Sequence, residues 1–87
     1  MFRGKTESGF EFNLDEECLN DLEFIENLKA VDKGDITLLP EVIVAVLGEE
    51  QKKKLYNHIR SKAGRVKVDL VAKELQEIFK ASKQLKN

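Results

Sequence analysis

Leu38-Leu39-Pro40-Glu41-Val42-Ile43-Val44-Ala45-Val46-Leu47-Gly48 is the stretch whose reading decides the fold. It holds the longest apolar run of the chain, the six residues Val42 to Leu47. Four of the six are β-branched, which favours a strand. The punctuation favours a helix: Asp35 or Thr37 can cap the start, Pro40 suits a first turn, and Gly48 suits the position just past a helix end. At about 100° per residue, Leu38, Leu39, Val42, Ile43, Val46 and Leu47 cover one side. Glu41, Ala45 and Val44 lie on the other. A helix this apolar must be wrapped by the rest of a small domain or must offer part of itself to a partner.

Upstream, Phe2 to Leu14 reads as a β-hairpin. Phe10, Phe12 and Leu14 alternate with Glu11 and Asn13, the period of a half-buried strand, and Glu7-Ser8-Gly9 forms the turn. Asp15 can cap a short helical turn through Leu19. Asn20 or Asp21 can cap a helix running to about Asp32, with Phe24, Ile25, Leu28 and Val31 on one stripe. Downstream, Glu49-Glu50-Gln51 opens a further helix with Leu55, Tyr56, Ile59 and Ala63 on its apolar side, and Gly64 stops it. Arg65-Val66-Lys67-Val68 reads as a short extended segment. Asp69 caps a last helix that buries Val71, Ala72, Leu75, Ile78 and Phe79 and leaves Lys73, Glu74, Gln76 and Glu77 outside. The expected fold is mainly α (α+β): a bundle of about four helices with an N-terminal hairpin. It forms one domain over residues 1–87, divided into a hairpin at 1–14, helices at 15–79 and a fraying end at 80–87.

With 87 residues the core is small and a deep cleft is not expected. Hydrophobic content of 41% beside 36% charged residues describes a soluble globular chain. Met1-Phe2-Arg3-Gly4-Lys5 is not followed by an apolar segment, so no signal peptide is expected. No run approaches the roughly 20 apolar residues of a membrane span. Cys18, the sole cysteine, excludes an intramolecular disulfide and a cysteine-based zinc site, which fits a reducing, cytoplasmic setting.

Nothing in the sequence reads as catalytic. His58 is the only histidine, and its place between Leu55 and Ile59 on a helix flank reads as structural. Glu16 and Glu17 beside Cys18 disfavour a reactive thiolate, so Cys18 reads as a part-buried small residue. The acidic cluster Asp15, Glu16, Glu17, Asp21 and Glu23 lacks the alternating ligands and mid-loop glycine of a calcium loop. The five glycines are isolated at turns, so no phosphate-cradling loop is present. No cofactor, metal or catalytic residue is expected.

The net charge of −1 conceals a split. Residues 1–50 carry four basic and thirteen acidic side chains, and residues 51–87 carry eleven basic and three acidic ones, giving nets of −9 and +8. The halves either neutralise each other within one chain or meet between chains, acidic face to basic face, as in rings and filaments. Glu16, Glu17, Lys53, Arg60 and Arg65 are the candidate self-association charges. Lys52-Lys53-Lys54 fans around a helix rather than forming a stripe. Arg60, Lys62, Arg65 and Lys67 could meet phosphates, but only Tyr56 interleaves with them, and a solvated charged face is the simpler reading.

Taken in order, Ser8-Gly9-Phe10-Glu11-Phe12, Leu19-Asn20-Asp21-Leu22-Glu23, Val31-Asp32-Lys33-Gly34-Asp35, Leu39-Pro40-Glu41-Val42, Leu47-Gly48-Glu49-Glu50-Gln51-Lys52, Gly64-Arg65-Val66-Lys67-Val68 and Glu74-Leu75-Gln76-Glu77-Ile78-Phe79 span nearly the whole chain. Their order and spacing resemble the small tail assembly chaperones of long-tailed phages and prophages of Gram-positive bacteria. The resemblance implies a non-enzymatic protein of the host cytoplasm. Its partners would be the tape measure protein, which it keeps soluble, and the tail tube protein, with many copies along one client. Such a client needs an apolar groove on a charged carrier. Phe24, Val44, Leu47 and Leu85 are the candidate groove residues. The competing reading is a small cytoplasmic adaptor or regulator, with DNA binding through the basic C-terminal half as one form of it.

Overall fold

The computed structural model describes residues 2–86, with side chains for residues 2–81. Strands β1 (Phe2–Lys5) and β2 (Glu11–Leu14) pair antiparallel, with Phe2 opposite Leu14 and Lys5 opposite Glu11. A short 3-10 turn, Glu16–Asn20, leads into α1 (Leu22–Asp32). A second 3-10 turn, Ile36–Leu38, leads into α2 (Leu39–Ala63), and α3 spans Val68–Lys86.

The expectation of about four helices is therefore corrected: among the described residues there are three, with the two-stranded hairpin in front of them. The second and third expected helices are one element, Leu39–Ala63. The reason lies at Gly48. Its φ of 84° and ψ of 166° are non-helical, yet the chain resumes helix at once instead of leaving for a loop. Gly48 is a kink at which the helical segments 39–47 and 49–63 join end to end with no loop between them.

The bend frees backbone carbonyls, which accept from the residue after β2 and from a side chain of α2 itself. The Asp15 amide donates to the Val46 carbonyl at 3.3 Å. The Gln51 side-chain amide donates to the Leu47 carbonyl at 2.7 Å and to the Asn13 carbonyl at 2.8 Å. Its oxygen accepts from the Asn13 amide at 2.7 Å. Gln51 thus completes the outer edge of β2 as a neighbouring strand would.

Local chemistry sets the other boundaries. Asp15, Asp21 and Asp35 each accept from backbone amides at the starts of the turns and of α1. Gly64, at φ 83°, is the left-handed cap of α2 and donates to the Arg60 carbonyl at 2.8 Å. Two expectations shift here. The expected extended segment Arg65–Val68 loses its last residue, since α3 begins at Val68. Asp69 sits inside its first turn rather than capping it.

The core lies between the hairpin and the helices. Phe10, Phe12 and Leu14 enter it from the hairpin, Phe24 from α1, Leu39, Val42, Ile43, Val46, Leu47, Leu55 and Ile59 from α2, and Val71, Leu75 and Ile78 from α3. Leu14, Val42, Val46, Leu55 and Ile78 are completely buried. Burying such a side chain contributes about 1.5–3 kcal/mol. The α1 stripe is rotated from the one expected: Phe24 is buried and Leu28 and Val31 are half-buried, while Ile25 is exposed. The expected fraying end at 80–87 falls mostly outside the described side chains.

Candidate functional site

The apolar residues that the core leaves outside are concentrated in two places. Large exposed hydrophobics among the described residues are Leu22, Ile25, Ile36 and Val68. Leu22 and Ile25, 70% and 46% exposed, stand one turn apart on α1 and form a ridge. Ile36 and Val68, 52% and 47% exposed, flank a cleft of about 120 Å³ floored by Leu39, Ile43, Tyr56, Val66 and Val71, with Pro40 at its edge. The cleft forms where the capped turn Ile36–Leu38 and the linker after Gly64 meet across the start of α2.

The two patches differ in charge. Exposed Asp21, Glu23 and Glu26 neighbour the α1 ridge. Around the cleft, the Lys52 ammonium lies 5.8 Å from the centre of the Tyr56 ring, and Arg60 is one helical turn from Tyr56. Exposed Arg65 and Lys67 alternate with Val66 and Val68, and Asp35 and Asp69 also border the cleft.

The expected groove residues are scattered. Phe24 is buried, its ring 6.2 Å from that of Phe79, and Leu47 is buried in α2. Neither lines an open surface of this chain. Val44 is half-buried beside a separate cleft of about 250 Å³ with Pro40, Glu41, Glu49 and Lys52. Leu85 lies outside the described side chains. The structure instead brings together Ile36, Tyr56, Val66 and Val68, which sequence reasoning missed. The available signal was apolar residues placed in a capping turn and in a short linker, where no helix face could bury them. Of the charges, Glu17, Lys53, Arg60 and Arg65 are exposed and Glu16 is half-buried. The Arg60 guanidinium donates to the Asn57 side-chain oxygen at 2.7 Å.

A part-buried polar cluster ties the hairpin tip to the helices. Ser8 Oγ donates to Glu74 Oε2 at 2.7 Å and lies 3.0 Å from His58 Nε2 and 3.1 Å from Thr6 Oγ1. Either hydroxyl of the Ser8–Thr6 pair can donate, and the direction of the Ser8–His58 contact follows the imidazole tautomer. The Phe10 ring centre is 5.7 Å from that of His58, and the Glu7 amide donates to Glu77 Oε1 at 2.7 Å. Glu74, expected outside, is only 5% exposed, because the hairpin tip lies over that flank of α3. Its Oε1 is buried without a hydrogen-bond partner.

Cys18 is buried beneath the first 3-10 turn. Among the described residues no group of three or more His, Cys, Asp or Glu side chains could hold a metal ion, and no helix is long and apolar enough to cross a membrane. Comparison with protein-family models, with curated proteins and with solved structures gave no match to this chain.

Proposed function

We propose that this chain is a non-enzymatic tail assembly chaperone of a long-tailed phage or prophage, acting in the host cytoplasm. It binds the apolar helices of a tape measure protein, keeps that client soluble while tail tube subunits assemble around it, and works as many copies along one client. The observation that carries the reading is the cleft between Ile36 and Val68, an apolar surface set in a heavily charged small body. An amphipathic helix laid into such a groove gains burial of its apolar face, while the charged carrier supplies solubility. The order of sequence segments that resembles this class of chaperone supports the same reading.

The test is co-expression with the tape measure protein of the same genome, recording the client's soluble fraction with and without this chain at low and high salt. A client that becomes soluble and co-purifies at both salt concentrations supports the reading. Exposed Lys53, Arg60 and Arg65 favour the second reading, an adaptor or regulator that contacts nucleic acid. In that case the client is unaffected, and binding to DNA is lost steeply as salt rises.

A further inference from the structure

We infer that the resting occupant of the Ile36–Val68 cleft is the Leu22–Ile25 ridge of a second copy of this chain, so that copies join head to tail. The inference starts from two apolar patches on different elements of one small protein, each too exposed to be explained by the core. Exposed apolar surface of this kind is covered by partners. Charge selects the pairing. Ridge against ridge would set Asp21, Glu23 and Glu26 against their own copies. Cleft against cleft would set Arg60, Arg65 and Lys67 against theirs. Ridge into cleft brings Asp21, Glu23 and Glu26 nearest to Arg60, Arg65 and Lys67, and leaves Lys29 beside the ridge to face Asp35 and Asp69 on the rest of the cleft border.

The shapes agree with the charges. Leu22 and Ile25 project from one helix face at a spacing of one turn. The cleft offers a hydrophobic floor, with an aromatic ring at Tyr56, between two exposed flanks. The contact is heterologous: each copy uses its ridge on one neighbour and its cleft on the next, so the array extends rather than closing as a pair. In the chaperone reading the same cleft receives the client. Self-association then shields the cleft until a client helix displaces the neighbour's ridge. That last clause rests on the proposed function; the contact between copies does not.

The test uses the chain alone, by sedimentation velocity from micromolar to millimolar concentration. Ile25→Lys removes the ridge and keeps the cleft. Val68→Asp removes the cleft and keeps the ridge, and it places an acid at the first residue of α3, where the helix dipole favours it. The wild type is expected to form a ladder of species growing with concentration. Each variant alone is expected to lose self-association by about tenfold or more. An equal mixture of the two folded variants is expected to form a dimer and nothing larger, since one intact ridge meets one intact cleft. Ile36→Lys replaces Val68→Asp if the latter lowers helicity. A wild type that stays monomeric throughout, or variants whose mixture forms no dimer, overturns the inference. Both outcomes leave the client test standing, because they are read without a client.

Discussion

Replacing Gly48 with Ala separates a bent α2 from a straight one by the sign of the effect. In an unbroken helix, exchanging an interior glycine for alanine stabilises by about 1 kcal/mol through propensity. At φ 84° and ψ 166°, however, Gly48 occupies a region open essentially to glycine alone, and a residue with a Cβ held there costs of order 1–3 kcal/mol. Apart from its chain neighbours and the helix's own backbone within four residues, no atom lies within 4 Å of the position that Cβ would take. The cost is thus a backbone cost, uncomplicated by a clash. The helix cannot escape it cheaply by straightening. A straight α2 would give up the Asp15–Val46 and Gln51–Leu47 hydrogen bonds and would rotate Leu39–Leu47 relative to Leu55 and Ile59, moving buried residues out of the core. A loss of about 2 kcal/mol is expected, or a fall in Tm of roughly 8–16 °C for a domain of this size. The assay is urea unfolding followed by circular dichroism, with an unchanged m-value showing that stability alone has moved. D-Alanine introduced by chemical ligation should recover the loss, because its allowed region mirrors that of the L-residue. An alanine variant more stable than the wild type would refute the bend and return α2 to an ordinary straight helix.

Three other outcomes follow from the same contacts. Gln51→Ala removes three hydrogen bonds and exposes the outer edge of β2; at about 0.5–1.5 kcal/mol each, a loss of about 2–4 kcal/mol is expected in urea unfolding, with earlier amide exchange at Asn13. Ser8→Ala leaves the buried Glu74 carboxylate without its one hydrogen bond and should cost about 1.5–3 kcal/mol. Adding Glu74→Leu should recover most of that loss in a double-mutant cycle, and strict additivity would show that the two groups do not interact. Gly64→Ala, in the left-handed cap of α2, should cost about 1 kcal/mol without altering client binding, measured as co-purification.

The parts of the fold that were legible in the sequence are those fixed by neighbours along the chain. The alternation of Phe10, Phe12 and Leu14 marks a strand because its period is two, and all three are buried. Asp15, Asp21 and Asp35 mark starts because their side chains reach amides two or three residues on. What was not legible depends on distant contacts. A glycine after an apolar run reads as a stop. At Gly48 the stop is followed at once by a new helical segment, with the freed carbonyls accepting from the Asp15 amide and the Gln51 side chain. Glu74 reads as an outward residue of α3 until the hairpin tip covers it. The candidate groove suffered most. Periodicity places Phe24 and Ile25 on the same stripe, and the rotation of α1 against the core decides which is buried. Ile36 lies in a short turn and Val68 where the alternating segment meets α3, so their convergence on one cleft appears only when α2 and α3 are packed.

The central claim is that the Ile36–Val68 cleft holds an apolar client. The most direct measurement is the soluble, co-purified fraction of the tape measure protein when co-expressed with the wild type, with Val68→Asp and with Gln76→Asp, an equal charge change at an exposed α3 residue outside the cleft lining. The expected result is a soluble client with the wild type and with Gln76→Asp, and a several-fold smaller fraction with Val68→Asp although that variant stays folded. A client equally soluble with all three would contradict the cleft as the binding surface, and a client soluble with none would contradict the chaperone reading itself.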